Sequence, residues 1–193
     1  MTPSDETQRT LILKPEVTRA DVLAAANALD FDWTEDYEAV PEQGIFFNRV
    51  WVDREETTAI ILIEDTSLDL NVLVTKGRRA KKTARQLAKR LDVWSEQELW
   101  RAVERASSAE ALSASLRRWT MGRLYDMSRR ERSALEEYLE HKSPAVRLAA
   151  VDSMGYLGHP GFIGLLDDVA NADDDEQVRQ AAQFVADGIR ELS

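Results

Sequence analysis

One short pattern occurs twice between residues 143 and 190. Its core is Val-Arg-x-Ala-Ala, at Val146–Ala150 and again at Val178–Ala182, so the two copies lie 32 residues apart. The correspondence extends to Leu157 and Ile189, which have the same separation. A repeat period of about 20–50 residues is typical of chains that stack one helical pair on the next. The pattern therefore constrains the scaffold strongly, but it does not identify a function.

Each copy has the features of an amphipathic helix. Ser143 and Pro144 suit an N-cap and a first helical position, and one residue of Asp173–Asp175 should cap the second copy. Gly158–Gly161 breaks the chain between the copies, and Phe162–Val169 then supplies the outer helix of the next pair. The apolar residues at helical spacing are Val146, Ala149, Ala150, Met154 and Leu157, then Val178, Ala181, Ala182, Val185 and Ile189.

The segment also carries features that recur in a known family. They are an acidic turn, a Val-Arg pair, two alanines and a Leu-Gly ending, at Asp173–Asp175, Val178-Arg179, Ala181-Ala182 and Tyr156–Gly158. On these residues it resembles HEAT repeats, especially the short bacterial variety also found in phycobilisome lyases. The repeats would span about residues 128–158 and 160–192. The resemblance implies that Arg147 and Arg179 form hydrogen bonds between repeats.

Two copies are fewer than such a stack usually needs. A continuous core requires about three or more units, so another element should cover the first repeat. An alanine-rich amphipathic helix without any repeat is the alternative interpretation, and the recurrence of the pattern together with its turn disfavours it.

The preceding residues indicate a different class of structure. We expect an α+β domain over residues 1–93, a small antiparallel sheet with helices, and an all-α domain with HEAT-like repeats over residues 94–193. Thr10–Lys14 has the composition of a strand, and Thr18 can cap a helix that continues to about Leu29. Arg79–Leu91 is amphipathic and should pack against the sheet, because a small sheet needs such support.

Three further strands are predicted at residues 45–53, 57–64 and 70–75, separated by short polar turns. The apolar run Ala59–Ile63 predicts a central strand that is buried on both faces. Asp32–Glu38 is acidic and aromatic, and we interpret it as a loop or an irregular edge with one ring in the core. A recognition surface is the alternative there, because Trp and Tyr anchor many interfaces.

Three pairs of residues have the spacing of a helix-capping box: Ser95 with Glu98, Ser107 with Glu110, and Ser128 with Glu131. They predict three helix starts before the repeats. The first two of these helices can cover the first repeat, and a degenerate repeat or a linker helix fits the pattern equally well.

Composition narrows the class of protein. The formal net charge is −10, which argues against wholesale wrapping of nucleic acid. There are no cysteines, so we expect neither disulfides nor thiolate metal sites, and a cytoplasmic location is the default. We find neither a bilayer-spanning apolar run nor a signal peptide, and so predict no membrane association.

A basic stretch over residues 76–90 stands out against this acidic background. It contains eight cations and no acidic residue. The candidate anion-binding side chains are Arg78, Lys81, Lys82, Arg85 and Lys89. The simplest interpretation is a solvated helix face whose cations pair with the acidic remainder. An acidic protein partner and a polyanion or nucleic acid are the alternatives.

No pattern for catalysis stands out. The sequence lacks a recognisable nucleophile elbow, a phosphate-binding glycine loop and a metal-ligand spacing. Asp173–Asp175 lacks the spread of oxygen ligands that a calcium loop requires, and His141 and His159 lie at predicted helix ends. We therefore predict no catalytic, cofactor-binding or metal-binding residue.

These features favour a non-enzymatic protein–protein interaction or adaptor and assembly module. The predicted contact residues, which we expect to be exposed on the inner helical face, are Arg147, Asp152, Arg179 and Gln183. Polyanion binding through the basic helix is one alternative. A lyase or chaperone-like enzyme is another, because HEAT-like repeats also occur in such proteins. Oligomeric state is not predicted.

Overall fold

The structure is a computed structural model that describes residues 8–38, 47–65, 70–122 and 129–192, with the backbone alone at residues 129–131 and 192. The chain divides into two compact units between Ser95 and Glu96. An antiparallel sheet with helices comes first and helices follow, so the predicted α+β class is confirmed.

Within the described ranges of the first unit, five antiparallel strands form one sheet in the order β1-β5-β4-β3-β2. They are β1 (Gln8–Ile12), β2 (Phe31–Tyr37), β3 (Phe47–Asp53), β4 (Thr58–Asp65) and β5 (Leu70–Gly77). The acidic-aromatic stretch is thus the edge strand β2 rather than a loop. Its register shifts between Trp33 and Glu35, and Phe31 is the ring that enters the core.

Helices α1 (Arg19–Asn27) and α2 (Ala80–Leu87) pack on the same face of this sheet. Thr18 caps α1 as predicted, because its side chain accepts a hydrogen bond from the Asp21 backbone N–H in a complete capping box. Helix α2 is shorter than predicted. The shared core contains Val22, Ala25, Ala26, Phe31, Trp51, Ile60, Leu62, Leu73, Leu87 and Leu91.

The central strand β4 is buried on one face only. Ile60 and Leu62 are fully buried, whereas Ile61 and Ile63 are half-buried. The prediction of burial on both faces is therefore wrong. Successive side chains of a strand point to opposite faces, and α1 and α2 cover only the face that holds Ile60.

A buried carboxylate joins the β3–β4 turn to the start of α2. Asp53 accepts hydrogen bonds from the backbone N–H groups of Thr57 at 2.8 Å and Thr58 at 3.2 Å, and from the Arg79 guanidinium at 2.6 Å. Burial alone would raise the pKa of Asp53, but these hydrogen bonds outweigh it and lower the pKa to about 2. Asp53 thereby fixes where the basic helix begins.

The described part of the second unit consists of helices. They are α3 (Glu96–Glu104), α4 (Ala109–Met121), α5 (Arg129–Leu139), α6 (Pro144–Leu157), α7 (Ile163–Ala172) and α8 (Glu176–Leu192), with a short 3-10 helix at Pro160–Phe162. Helix α3 packs on α4, α5 on α6 and α7 on α8, while α6 also contacts both α4 and α8. Val146 and Val178 are equally buried, as the repeat predicts.

Helix α4 occupies the position of an additional inner helix, although it lacks the repeated motif. The equivalent buried pairs of α4 and α6, all 33 residues apart, are Ser113 and Val146, Leu116 and Ala149, Thr120 and Ser153, and Met121 and Met154. Among the three roles left open for this region, the packing favours a degenerate repeat.

The helix ends follow ordinary capping chemistry, with one correction. Ser108, not Ser107, caps α4 by accepting a hydrogen bond from the Ala111 N–H. Gly158 ends α6 in the left-handed conformation at φ 59°. Asp175 caps α8, which selects one of the three predicted aspartates. The first two residues of the strand predicted at 45–53 and the capping box of residues 128 and 131 fall outside what the structure describes.

Candidate functional site

Arg147 holds two successive repeats together. Its guanidinium donates two hydrogen bonds of 2.7 Å to the Asp173 carboxylate in the α7–α8 turn, and a third, of 2.9 Å, to the His141 carbonyl. These side chains are only 12% and 6% exposed. The hydrogen bonds from Arg147 lower the pKa of Asp173, and those to Asp173 raise the pKa of Arg147. The bond between repeats that the resemblance implies is confirmed for Arg147. The prediction that the Arg147 side chain is exposed is wrong.

Arg179 repeats only part of this arrangement. Like Arg147, it donates a hydrogen bond to the carbonyl six residues earlier, here that of Asp173. Its other partner is Glu176, one turn earlier in the same helix. The bond between repeats that the resemblance implied for Arg179 is therefore absent from the described contacts, because both partners belong to its own repeat.

The other two predicted contact residues differ in exposure. Asp152 is half-buried and accepts hydrogen bonds from Arg117 of α4 at 2.8 and 3.1 Å. Gln183 is exposed, and its amide donates to the Asp187 carboxylate at 2.8 Å. Three of the four predicted residues thus connect parts of the helical unit. The exposed one is Gln183.

An exposed aromatic residue that the sequence analysis did not single out lies beside Gln183. Phe184 of α8 is 79% exposed, which is the highest value among the exposed large apolar residues of the described chain. Gln180 and Asp187 lie on the same side of α8 one turn away in each direction, and both are exposed. The sequence contained a signal for its exposure. Phe184 lies 32 residues after Asp152 and therefore occupies the same place in the repeat, and neither residue belongs to the predicted core positions.

A groove of about 680 Å³ lies between the outer helices α5 and α7. Helix α5 contributes Glu136 and Glu137, Glu140 follows directly after α5, and α7 contributes Asp168. The apolar part of the lining consists of Leu139, Leu165, Val169 and Ala172. The groove therefore combines an apolar floor with acidic walls. The sequence alone does not reveal this groove, because the charges on α5 are equally typical of a solvated helix face.

The five predicted anion-binding residues form an exposed basic surface on and around α2. All of Arg78, Lys81, Lys82, Arg85 and Lys89 are exposed. None of their side chains has an ion pair or a hydrogen bond with any residue in the described ranges. The expected pairing with the acidic remainder is not observed there. Arg79 differs, because it binds Asp53.

The acidic residues of the α7–α8 turn have structural roles. Asp173 binds Arg147 and the Asp175 backbone N–H, and Asp175 caps α8. Across the part of the chain that the structure describes, no group of three or more potential ligands is placed to hold a metal ion. In the same residues, no helix is both long and apolar enough to cross a bilayer.

Paired helices with an inner row of contacting helices define the second unit as a helical-repeat structure. Residues 105–186 match the family model for HEAT repeats, whereas no family model matches the N-terminal region. The resemblance drawn from the repeated motif is thus confirmed for the C-terminal part, and the match includes α4. No curated protein and no solved structure is significantly similar to the chain.

Proposed function

We propose that the protein is a non-enzymatic adaptor or assembly module that binds another protein through the surface of α6 and α8. The observation that carries this proposal is Phe184, which is 79% exposed on a helix of the HEAT-like region. HEAT repeats generally mediate protein–protein interaction. Aromatic side chains often supply much of the binding energy of an interface, so Phe184 is the expected anchor.

The surroundings of Phe184 suit the centre of a small interface. Burying a phenylalanine side chain on association contributes about 2–3 kcal/mol. Gln180 and Gln183 provide neutral amides that can bond to a partner's backbone at low desolvation cost. Tyr156 of α6 is 39% exposed and adds a second aromatic side chain on the neighbouring inner helix.

The residues predicted from the sequence have different parts in this proposal. Arg147, Asp152 and Arg179 hold the helices in register, because their charged groups are engaged within the unit. Gln183 is retained as a direct contact. We place the protein in the cytoplasm as part of the proposal, since the sequence contains no cysteine.

The test compares two exposed aromatic residues. The tagged full chain would be used to capture partners from its native source, and any captured protein would be purified for affinity measurements with Phe184→Ala. We expect Phe184→Ala to weaken binding at least about tenfold. The matched control is Trp33→Ala, because Trp33 is 58% exposed in the first unit. Unchanged binding by Phe184→Ala, or an equal loss with Trp33→Ala, would contradict the proposal.

A second candidate function is polyanion or nucleic-acid binding by the basic surface of α2. The lack of described ion partners at the five predicted cations supports it, since such side chains can displace counterions from phosphates. The affinity for duplex DNA should fall steeply with salt and be lost in Lys81→Glu/Arg85→Glu/Lys89→Glu. The control is Arg54→Glu/Arg105→Glu/Lys142→Glu, at three exposed cations elsewhere. Salt-independent binding, or equal loss in both variants, would contradict this candidate.

A further inference from the structure

The groove between α5 and α7 has the chemistry of a binding site for a basic amphipathic helix. We propose that it accepts such a segment of a partner protein, with apolar side chains on its floor and Lys or Arg against its walls. The inference concerns a different surface from that of Phe184, and it rests on the proposed function only in requiring a protein partner.

The acidic walls hold charges that are not neutralised within the described chain. Glu136 is half-buried, and Glu137, Glu140 and Asp168 are exposed. None of these four carboxylates has an ion pair or a side-chain hydrogen bond with a described residue. Asp173 also borders the groove, but its carboxylate is bound to Arg147. Four carboxylates of the groove therefore have no acceptor atom bound by a described side chain, which suits cationic partner side chains.

The floor of the groove provides apolar contact surface, which an acidic patch alone does not have. Leu165 and Val169 are half-buried in the groove, one helical turn apart on α7, with Ala172 following on the same side. Leu139 of α5 closes the floor and is 9% exposed. Helices α5 and α7 pack mainly on α6 and α8, which leaves the gap between them open.

The dimensions fit a helix of about two turns. The lining residues run from Ser133 to Glu140 on one side and from Leu165 to Asp173 on the other, which is about two helical turns on each side. Seven residues of a helix rise about 10 Å, so an incoming helix would meet the floor with residues at i, i+3 or i+4, and i+7. The volume of about 680 Å³ accommodates several apolar side chains.

A second copy of this chain fits the groove poorly. Helix α2 has the most concentrated positive charge in the sequence, but its apolar residues Ala80, Ala84 and Leu87 are buried in its own core. It could offer cations to the walls and nothing to the floor. The net charge of −10 also opposes association between copies. These observations favour a different, basic protein as the occupant.

The test uses the full chain and a labelled synthetic peptide of about four helical turns, with leucines at i, i+3, i+4 and i+7 and lysines on the flanks. The comparison peptide has the same composition in scrambled order. Fluorescence anisotropy at low and physiological salt would give both affinities. We expect the amphipathic peptide to bind at least about tenfold more tightly than the scrambled one, because only the former can cover the floor.

Two matched charge variants distinguish the effect of the groove carboxylates on peptide binding from the effect of the protein's net charge. Glu136→Gln/Glu140→Gln/Asp168→Asn should weaken peptide binding about tenfold. Asp32→Asn/Glu38→Gln/Glu191→Gln removes the same charge at exposed sites outside the groove and should leave binding within about twofold. Circular dichroism and thermal unfolding would verify that both variants fold. Equal binding by the two variants, or by the two peptides, would overturn the assignment.

Two further readouts distinguish this inference from its alternatives. Phe184→Ala should bind the peptide like the unmodified protein, so failure of the groove and failure of the Phe184 surface are separable. Sedimentation of the unmodified protein should show no self-association through the groove, that is, none that is abolished by Glu136→Gln/Glu140→Gln/Asp168→Asn. If such self-association appears, the occupant is a second copy and the assignment of a basic partner is wrong.

Discussion

In each unit of the protein an arginine–aspartate pair joins a turn to a helix, and these two pairs differ in burial. In the sheet unit, Asp53 is 1% exposed while Arg79 is 47% exposed. In the helical unit, Arg147 and Asp173 are 12% and 6% exposed. Removing the carboxylate leaves a largely solvated cation, Arg79, without its partner in the sheet unit. In the helical unit it leaves a nearly buried cation, Arg147, without its partner. Burial of the partner should therefore decide how much each pair matters.

The largest expected effect comes from Asp173→Ala. This change leaves the nearly buried Arg147 guanidinium without its carboxylate, which should destabilise the helical unit by about 3–5 kcal/mol. Hydrogen exchange of the α6 and α8 amides in the native protein measures the loss within that unit. The adjacent exposed Asp174 is the control, since Asp174→Ala should cost less than about 0.5 kcal/mol. Similar losses for both variants would show that the buried pair has no special role.

A second prediction compares two glycines with positive φ. A Cβ at Gly77, where φ is 106°, would lie 2.2 Å from the Thr57 carbonyl oxygen, in the turn that Asp53 holds. At Gly158, where φ is 59°, the nearest such atom is 4.0 Å away. Gly77→Ala should therefore cost about 2–4 kcal/mol, from strain and overlap together, and Gly158→Ala about 1–2 kcal/mol from strain alone. Denaturant unfolding followed in each unit tests this order, and its reversal would contradict the described turn.

The low pKa of Asp53 predicts an acid-dependent loss of stability in the sheet unit. Because the pKa of Asp53 in the folded protein is about 2, below the ordinary value of 3.8 for an aspartate, the contribution to stability is present above about pH 5 and is lost as the pH falls towards 2. The change should be about 2 kcal/mol. Asp53→Asn should be less stable at neutral pH and should show a correspondingly flatter pH profile. An unchanged profile in that variant would assign the acid sensitivity to other carboxylates.

The smallest effect is expected for an exposed pair. Arg190 of α8 contacts Asp167 of α7 at 2.5 Å, but the two side chains are 40% and 38% exposed. Arg190→Ala should therefore cost about 0.5 kcal/mol and less at high salt, since solvent screens exposed charges. A loss as large as that of Asp173→Ala would contradict the view that burial separates the pairs.

The two units also differ in how much the sequence could predict. The repeated motif predicted the helices and the turn between them, because both copies carry the same features, whereas the bond of Arg147 between repeats was implied by the resemblance to HEAT repeats. Asp53 and Arg79 lie in different elements, and their contact depends on strand register, which no local pattern specifies. The incomplete burial of Ile61 was missed for a related reason, since a run of branched residues does not reveal which sheet face the helices cover.

The candidate surfaces were predicted only in part. Gln183 and the basic side chains of residues 78–89 are exposed as the sequence predicted, but Arg147, which was selected as a contact residue in the same way as Gln183, uses its charge within the unit. Phe184 looked like one more apolar residue of an amphipathic helix, although its place in the repeat lies outside the predicted core positions, and the packing of α8 shows that it is exposed. The groove depends on the separation of α5 and α7, and helical periodicity does not contain that distance.

The most direct test of a partner-binding helical surface is hydrogen exchange of the full chain with and without a partner captured as described above. The account predicts slower exchange in residues 144–157 and 176–192, centred on the amides around Phe184, while the strands of the sheet unit remain unchanged. Protection confined to the sheet unit, with none in these two helices, would contradict it.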